Sequence, residues 1–129
     1  MSDKQKTLAK EAVLAGVGLH TGKNVTLTFK PADPDTGFVF VRTDLEGQPQ
    51  VEADAQYVVS TARGTTLEKK GVKVHTTEHV LAALVGMDID NCYIEIDNAE
   101  PPIMDGSSRF LVEAIEGAWI VEQDKDREY

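Results

Sequence analysis

A change of hydrophobic period constrains this chain more than any other feature. Over residues 24–29, Val25, Leu27 and Phe29 alternate with Thr26 and Thr28. That two-residue repeat predicts a strand with one buried face. Over residues 78–85 the run EHVLAALV is apolar at helical spacing instead, which predicts a short helix with Thr76 or Thr77 as its N-cap and Gly86 as its C-terminal stop.

The remaining segments are read the same way. Residues 8–14 predict an edge strand. Residues 38–42 (FVFVR) predict a strand antiparallel to 24–29, across a Pro- and Asp-rich turn at 31–37. Residues 51–59 are extended in part. Residues 65–68 and 72–75 flank Lys69-Lys70-Gly71 as a hairpin. Residues 91–96 predict a strand, and 98–106 a loop stiffened by Pro101-Pro102. Ser107 caps a second helix over 108–118, with Phe110, Leu111, Ala114, Ile115 and Ala118 as its apolar stripe. The expected fold class is α+β: a mostly antiparallel sheet with two helices packed on one face, a two-layer sandwich. One domain spans 1–120, and the charged segment 121–129 reads as a domain edge or linker.

Composition removes several function classes. With 129 residues there is room for one core. The net charge of −9, from 13 basic and 22 acidic residues, argues against nucleic-acid binding. No apolar run approaches the ~18 residues of a membrane span, and residues 1–6 do not open a signal peptide. The single cysteine, Cys92, allows no intrachain disulfide and points to a reducing cytoplasm.

Three segments hold chemistry. Gly16-Val17-Gly18-Leu19-His20-Thr21-Gly22 is spaced G-x-G-x-x-x-G and precedes a strand, so it lacks the helix N-terminus of a dinucleotide loop. It reads as a tight turn with a histidine at its tip. His75-Thr76-Thr77-Glu78-His79 spells H-x-x-E-H, the string of inverted zinc proteases. That chemistry needs both histidines on one helix, and the capping threonines put His75 before the helix. Glu78 and His79 still share a first helical turn. A neutral imidazole there can bind zinc while the adjacent carboxylate takes a proton from an activated water; a dipole-favoured glutamate beside a surface histidine is the bland alternative. Residues 100–108 (EPPIMDGSS) bring Glu100 and Asp105 around two prolines, either as a site or as the lead into the second helix.

Taken together, the motifs at 16–22, Thr77-Glu78-His79 with Leu81-Ala82-Ala83-Leu84, Asp90-Asn91, and residues 102–107 (PIMDGS) resemble, in order, the zinc-dependent UDP-3-O-acyl-N-acetylglucosamine deacetylase of lipid A biosynthesis. The resemblance runs from about Thr7 to Ile120 and implies a bacterial, cytoplasmic hydrolase with two α+β domains whose helical layers face each other across the active site. It implies His79 as the zinc ligand of the first domain and Glu78 as the acid–base residue. Leu19 and His20 would lie near the site, and Thr61 would begin a segment bordering the substrate. It assigns no role to His75. The remaining ligands, in an H-K-x-x-D motif, and an oxyanion-stabilising histidine belong to the family's second domain, which is absent from this sequence. The expectation is therefore an inactive fragment without tightly bound zinc. A non-catalytic binding or self-associating module is the alternative, and the protease a third. Two residues depart from the family: Leu111, where Phe is common, and Trp119, where Gly is common. A helical face left bare predicts a homodimer with Trp119 in or near the contact.

Overall fold

The structure, a computed structural model, describes residues 4–18, 22–61, 64–75, 77–99, 101–103 and 109–127. The strands are β1 (Lys4–Leu8), β2 (Ala12–Gly18), β3 (Asn24–Pro31), β4 (Phe38–Arg42), β5 (Gln50–Glu52), β6 (Val58–Thr61), β7 (Gly64–Lys69), β8 (Val72–Val74), β9 (Cys92–Ile96), β10 (Pro102–Ile103) and β11 (Ile120–Asp126). The helices are α1 (Glu78–Gly86) and α2 (Arg109–Gly117). Six strands form the main sheet in the order β10-β2-β3-β9-β4-β5, with β6-β7-β8 and β1-β11 as smaller sheets. All pairs are antiparallel except β4 with β9. Val25, Leu27 and Phe29 of β3 join Val80, Ala83 and Leu84 of α1, Ile115 of α2 and Ala118 just after it in one core. The α+β reading, sheet against two helices, holds.

The edge strand expected over 8–14 is instead the end of β1 and the start of β2, with a break at 9–11, and β2 lies inside the main sheet between β10 and β3. The N–H groups of Ala9 and Lys10 donate to the carbonyls of Trp119 and Ala118. A partner from the far end of the chain claims the hydrogen bonds a continuous strand would have used. β4 does not pair with β3 either, because β9 lies between them. Cys92, Ile94 and Ile96 of β9 are each 0% exposed and face the core.

The turn chemistry of residues 69–71 was legible: Lys70 and Gly71 are both left-handed, at φ 51° and 81°, as a two-residue hairpin turn between β7 and β8 requires. The ends of α1 were read less well. Thr77 precedes the helix in a helical conformation and makes no side-chain cap; its hydroxyl donates instead to the Thr65 carbonyl. Gly86 is not the stop. Asp88 takes the left-handed position at φ 65°. Its N–H bonds the Val85 carbonyl and the Ile89 N–H bonds that of Leu84, with Leu84 and Ile89 both buried. This is a Schellman motif with aspartate where glycine is usual.

The charged segment after 120 is not loose over 120–126, where it is β11, paired with β1. A buried amide fastens it. Asn91, 2% exposed, donates through Nδ2 to Gln5 and Gln123 and accepts from the Gly37 N–H. Gln123 in turn donates to the Ala32 carbonyl. The Asp90-Asn91 motif is thus accounted for by structure: it ties the first and last strands to the turn between β3 and β4. Part of the loop expected over 98–106 is β10, pairing Pro102 with Gly18 and Ile103 with Val17.

Candidate functional site

The site is assembled where the small β6-β7-β8 sheet meets the start of α1. β7 pairs with β6 on one edge, Thr65 opposite Ser60, and with β8 on the other, Leu67 opposite Val74. Beyond Val74 the chain leaves the sheet to become α1, and the β7 edge would be left open at Thr65. Two residues of the helix start fill it. The Thr77 N–H donates to the Thr65 carbonyl at 3.1 Å, and the Thr65 N–H donates to Oε2 of Glu78 at 3.3 Å. The Glu78 carboxylate stands where a strand carbonyl would otherwise sit.

Glu78 is half-buried and His79 exposed, while Val80, between them and the core, is 1% exposed. Ala82, Val85 and Gly86 are also exposed, so His79 lies on the outward side of α1. The carboxylate is therefore anchored and the imidazole presented outward. A glutamate in a first helical turn is further favoured by the helix dipole. Among the described residues Oε1 of Glu78 carries no hydrogen bond, so one carboxylate oxygen is held and the other is available to a proton.

His75 is oriented differently. It precedes α1, donates its backbone N–H to the Ala99 carbonyl, and has Nδ1 2.9 Å from the Thr66 hydroxyl. Thr66 is 1% exposed. The H-x-x-E-H protease arrangement needs both histidines on one helix a turn apart, and this chain does not provide it.

Among the described residues no three His, Cys, Asp or Glu side chains gather to hold a metal. A catalytic zinc takes about three protein ligands, so the described residues do not by themselves fit one. Leu19 and His20 lie outside the described residues, as do Glu100, Asp105 and Ser107. The described strands on either side of Leu19 and His20, β2 and β3, pair antiparallel, with Val17 opposite Asn24. Thr61 ends β6, paired with Gly64, so the hairpin it belongs to leads within a few residues to Thr65. The roles of Thr65 and Thr66 were not read from sequence. Their signal was the short β8 running directly into a helix, which leaves the facing edge of β7 without a strand partner.

Trp119 follows α2 in the left-handed region, at φ 62°, and is 69% exposed. That left-handed backbone suits the glycine common in the family better than a tryptophan. Leu111 lies within α2, and nothing described accounts for it.

The sequence profile of the family described as LpxC, UDP-3-O-acyl N-acetylglycosamine deacetylase, matches residues 5–129. The chain is 54% identical over 125 residues to a bifunctional enzyme LpxC/FabZ of Chlorobaculum tepidum, covering 97% of this chain and 27% of that one. It is 51% identical over 127 residues to the UDP-3-O-acyl-N-acetylglucosamine deacetylase of Myxococcus xanthus, covering 98% and 40%. The same identity holds over 126 residues for the deacetylase of Hahella chejuensis, covering 98% and 42%. The chain thus spans less than half the length of these relatives.

Proposed function

This chain belongs to the LpxC family of deacetylases, and from that premise we propose that it is the amino-terminal domain of a zinc-dependent N-deacetylase, carrying Glu78 as the acid–base residue and His79 as one metal ligand. The substrate of the complete enzyme is UDP-3-O-acyl-N-acetylglucosamine, as in the names of its relatives. The observation that carries the reading is the pair itself: an anchored carboxylate beside an outward imidazole in one helical turn.

Zinc supplies Lewis-acid polarisation of the amide carbonyl when bound. The part of this chain is more limited. The Thr65 N–H holds Oε2 of Glu78, so the carboxylate presents Oε1 in a constant direction to accept a proton from water and return it to the departing amine. Leu19, His20 and Thr61 would border the substrate. The other ligands and the oxyanion-stabilising histidine would come from a second domain. Alone, the chain is inactive and holds zinc weakly. A reducing cytoplasm suits the lone, buried Cys92, and among the described residues no helix is long and apolar enough to cross a membrane.

Zinc affinity of the chain, measured by chelator competition with His79→Ala beside it, tests this. Weak binding that weakens further in the variant supports the assignment. Tight stoichiometric zinc that survives the substitution sinks it, and turnover by the pure chain sinks the inactive-fragment part.

A self-associating module is favoured by one specific observation: Val85 and Trp119 are 64% and 69% exposed at the helical layer. Exposed apolar surface promotes association, and a second copy about a two-fold axis would cover it. Sedimentation equilibrium should find a dimer that Trp119→Gly weakens; a monomer at high concentration counts against it.

A further inference from the structure

β11 is poorly held by apolar burial. Residues 121, 122 and 124–126 are exposed, and Ile120 and Gln123 are only half-buried. A two-stranded ribbon alone is marginal in water. Its far end carries ion pairs of Asp126 with Lys4 and of Lys125 with Asp35, and beyond them it is fastened by Arg127. Its Nε lies 3.0 and 2.9 Å from the two carboxylate oxygens of Asp90. Its Nη2 donates to the carbonyl and to Oδ1 of Asp88, at 2.9 and 2.8 Å. Lys6 completes the cluster, with Nζ on Asp88 and its backbone N–H on Asp90. Two cations meet two carboxylates, and charge-assisted bonds of this multiplicity fix direction as well as distance.

Asp88 is the left-handed residue that ends α1, the helix whose first turn holds Glu78 and His79. We infer that Arg127 is a positioning residue: by locking the end of β11 onto the C-terminal end of α1, it fixes where and in what direction the backbone runs on beyond it, relative to His79 at the other end of the same helix. The consequence for catalysis rests on the reading above, in which the remaining zinc ligands lie further along a longer chain.

Magnitudes make the lock matter. α1 has nine residues and is about 13 Å long. If β11 came loose beyond Gln123, which Asn91 holds, a flexible tether of about four residues would have an end-to-end spread of about 11 Å, close to the length of the helix. The point at which the following segment begins would then be smeared across the whole site, with a matching fall in effective concentration of whatever it carries.

The test uses this chain and no metal, so it stands or falls separately from the zinc assignment. Nitroxide labels go on Lys73→Cys, on exposed β8 surface, and, in every protein compared, on the exposed Asp126→Cys at the end of β11; the buried Cys92 stays unlabelled. Double electron–electron resonance should give one narrow distance population, broadened several-fold by Arg127→Ala and less by Arg127→Lys, which cannot form the bidentate contact. Amide exchange in β9 should stay slow in both. An equally broad distribution with Arg127 present, or an equally narrow one without it, overturns the inference. Should Arg127→Ala fail to fold, Asp90→Ala removes both acceptors of Arg127 Nε, and an unchanged distribution in that variant overturns it equally.

Discussion

The Thr65 backbone N–H donates to Oε2 of Glu78 at 3.3 Å, so a helix side chain completes the edge of a strand whose natural neighbour has turned away. The bond is long and half-exposed, so its worth lies at the low end for a charged acceptor, about 1 kcal/mol. Removing it with Glu78→Ala should speed amide exchange at Thr65 about fivefold, while Glu78→Gln, which keeps the oxygen, should change it far less. Equal exchange in all three proteins would mean that the carboxylate is not anchored.

Trp119 occupies the left-handed region at φ 62° with most of its surface in water. The conformation costs about 1–2 kcal/mol in a residue with a side chain, and glycine returns part of that relief as unfolded-state entropy. Trp119→Gly should therefore stabilise the monomer by about 1 kcal/mol, raising Tm by roughly 4 °C. Trp119→Ala keeps the strain and should bring no such gain.

Asn91 is the polar centre that joins β1, β11 and the β3–β4 turn. Truncation to alanine leaves Gln123 Oε1 and the Gly37 N–H without this partner in half-buried places, each costing about 1–3 kcal/mol, while Gln5 Oε1 keeps the Asp35 N–H. Asn91→Ala should lower stability by about 3 kcal/mol or more in urea unfolding, with the slope unchanged. A loss under 1 kcal/mol would mean that water replaces the amide readily.

Asp88 should make stability depend on acid pH. Hydrogen bonds from Lys6 and then Arg127 hold its carboxyl below the ordinary value of 3.8. A carboxyl lowered in the folded state contributes stability that is present above the unfolded pKa and lost as pH falls through the folded one. The Tm difference between the parent and Asp88→Asn, a residue that also tolerates the left-handed region, should be constant above about pH 5 and shrink below about pH 4. A difference independent of pH would remove the ion pairs from the account.

Burial pushes the Cys92 thiol up to about 12. Without thiolate there is little nucleophile, so a thiol reagent at pH 8 should leave the native chain unmodified and react once per chain in urea. Rapid native labelling would show that β9 opens.

Much of the architecture was open to reading because it depends on local period. The alternation in β3, the exact span of β4, the left-handed turn at Lys70-Gly71 and the apolar spacing of both helices each reflect one face meeting water and the other the core. The Glu78-His79 pair could be singled out for the same reason, since adjacency in a first helical turn is a local property. Other features were decided by residues far apart in sequence. β9 lies between β3 and β4, where its fully buried Cys92, Ile94 and Ile96 face the core. Thr77 bonds the Thr65 carbonyl rather than capping its own helix. Asp88 ends α1 in place of Gly86, in a position where Lys6 and Arg127 surround its carboxylate. The charged segment after 120 becomes a strand because Asn91, Asp88 and Asp90 are waiting for it. Sequence spacing reports which face a side chain uses; which distant hydrogen-bond partner reaches that face is a property of the folded chain alone.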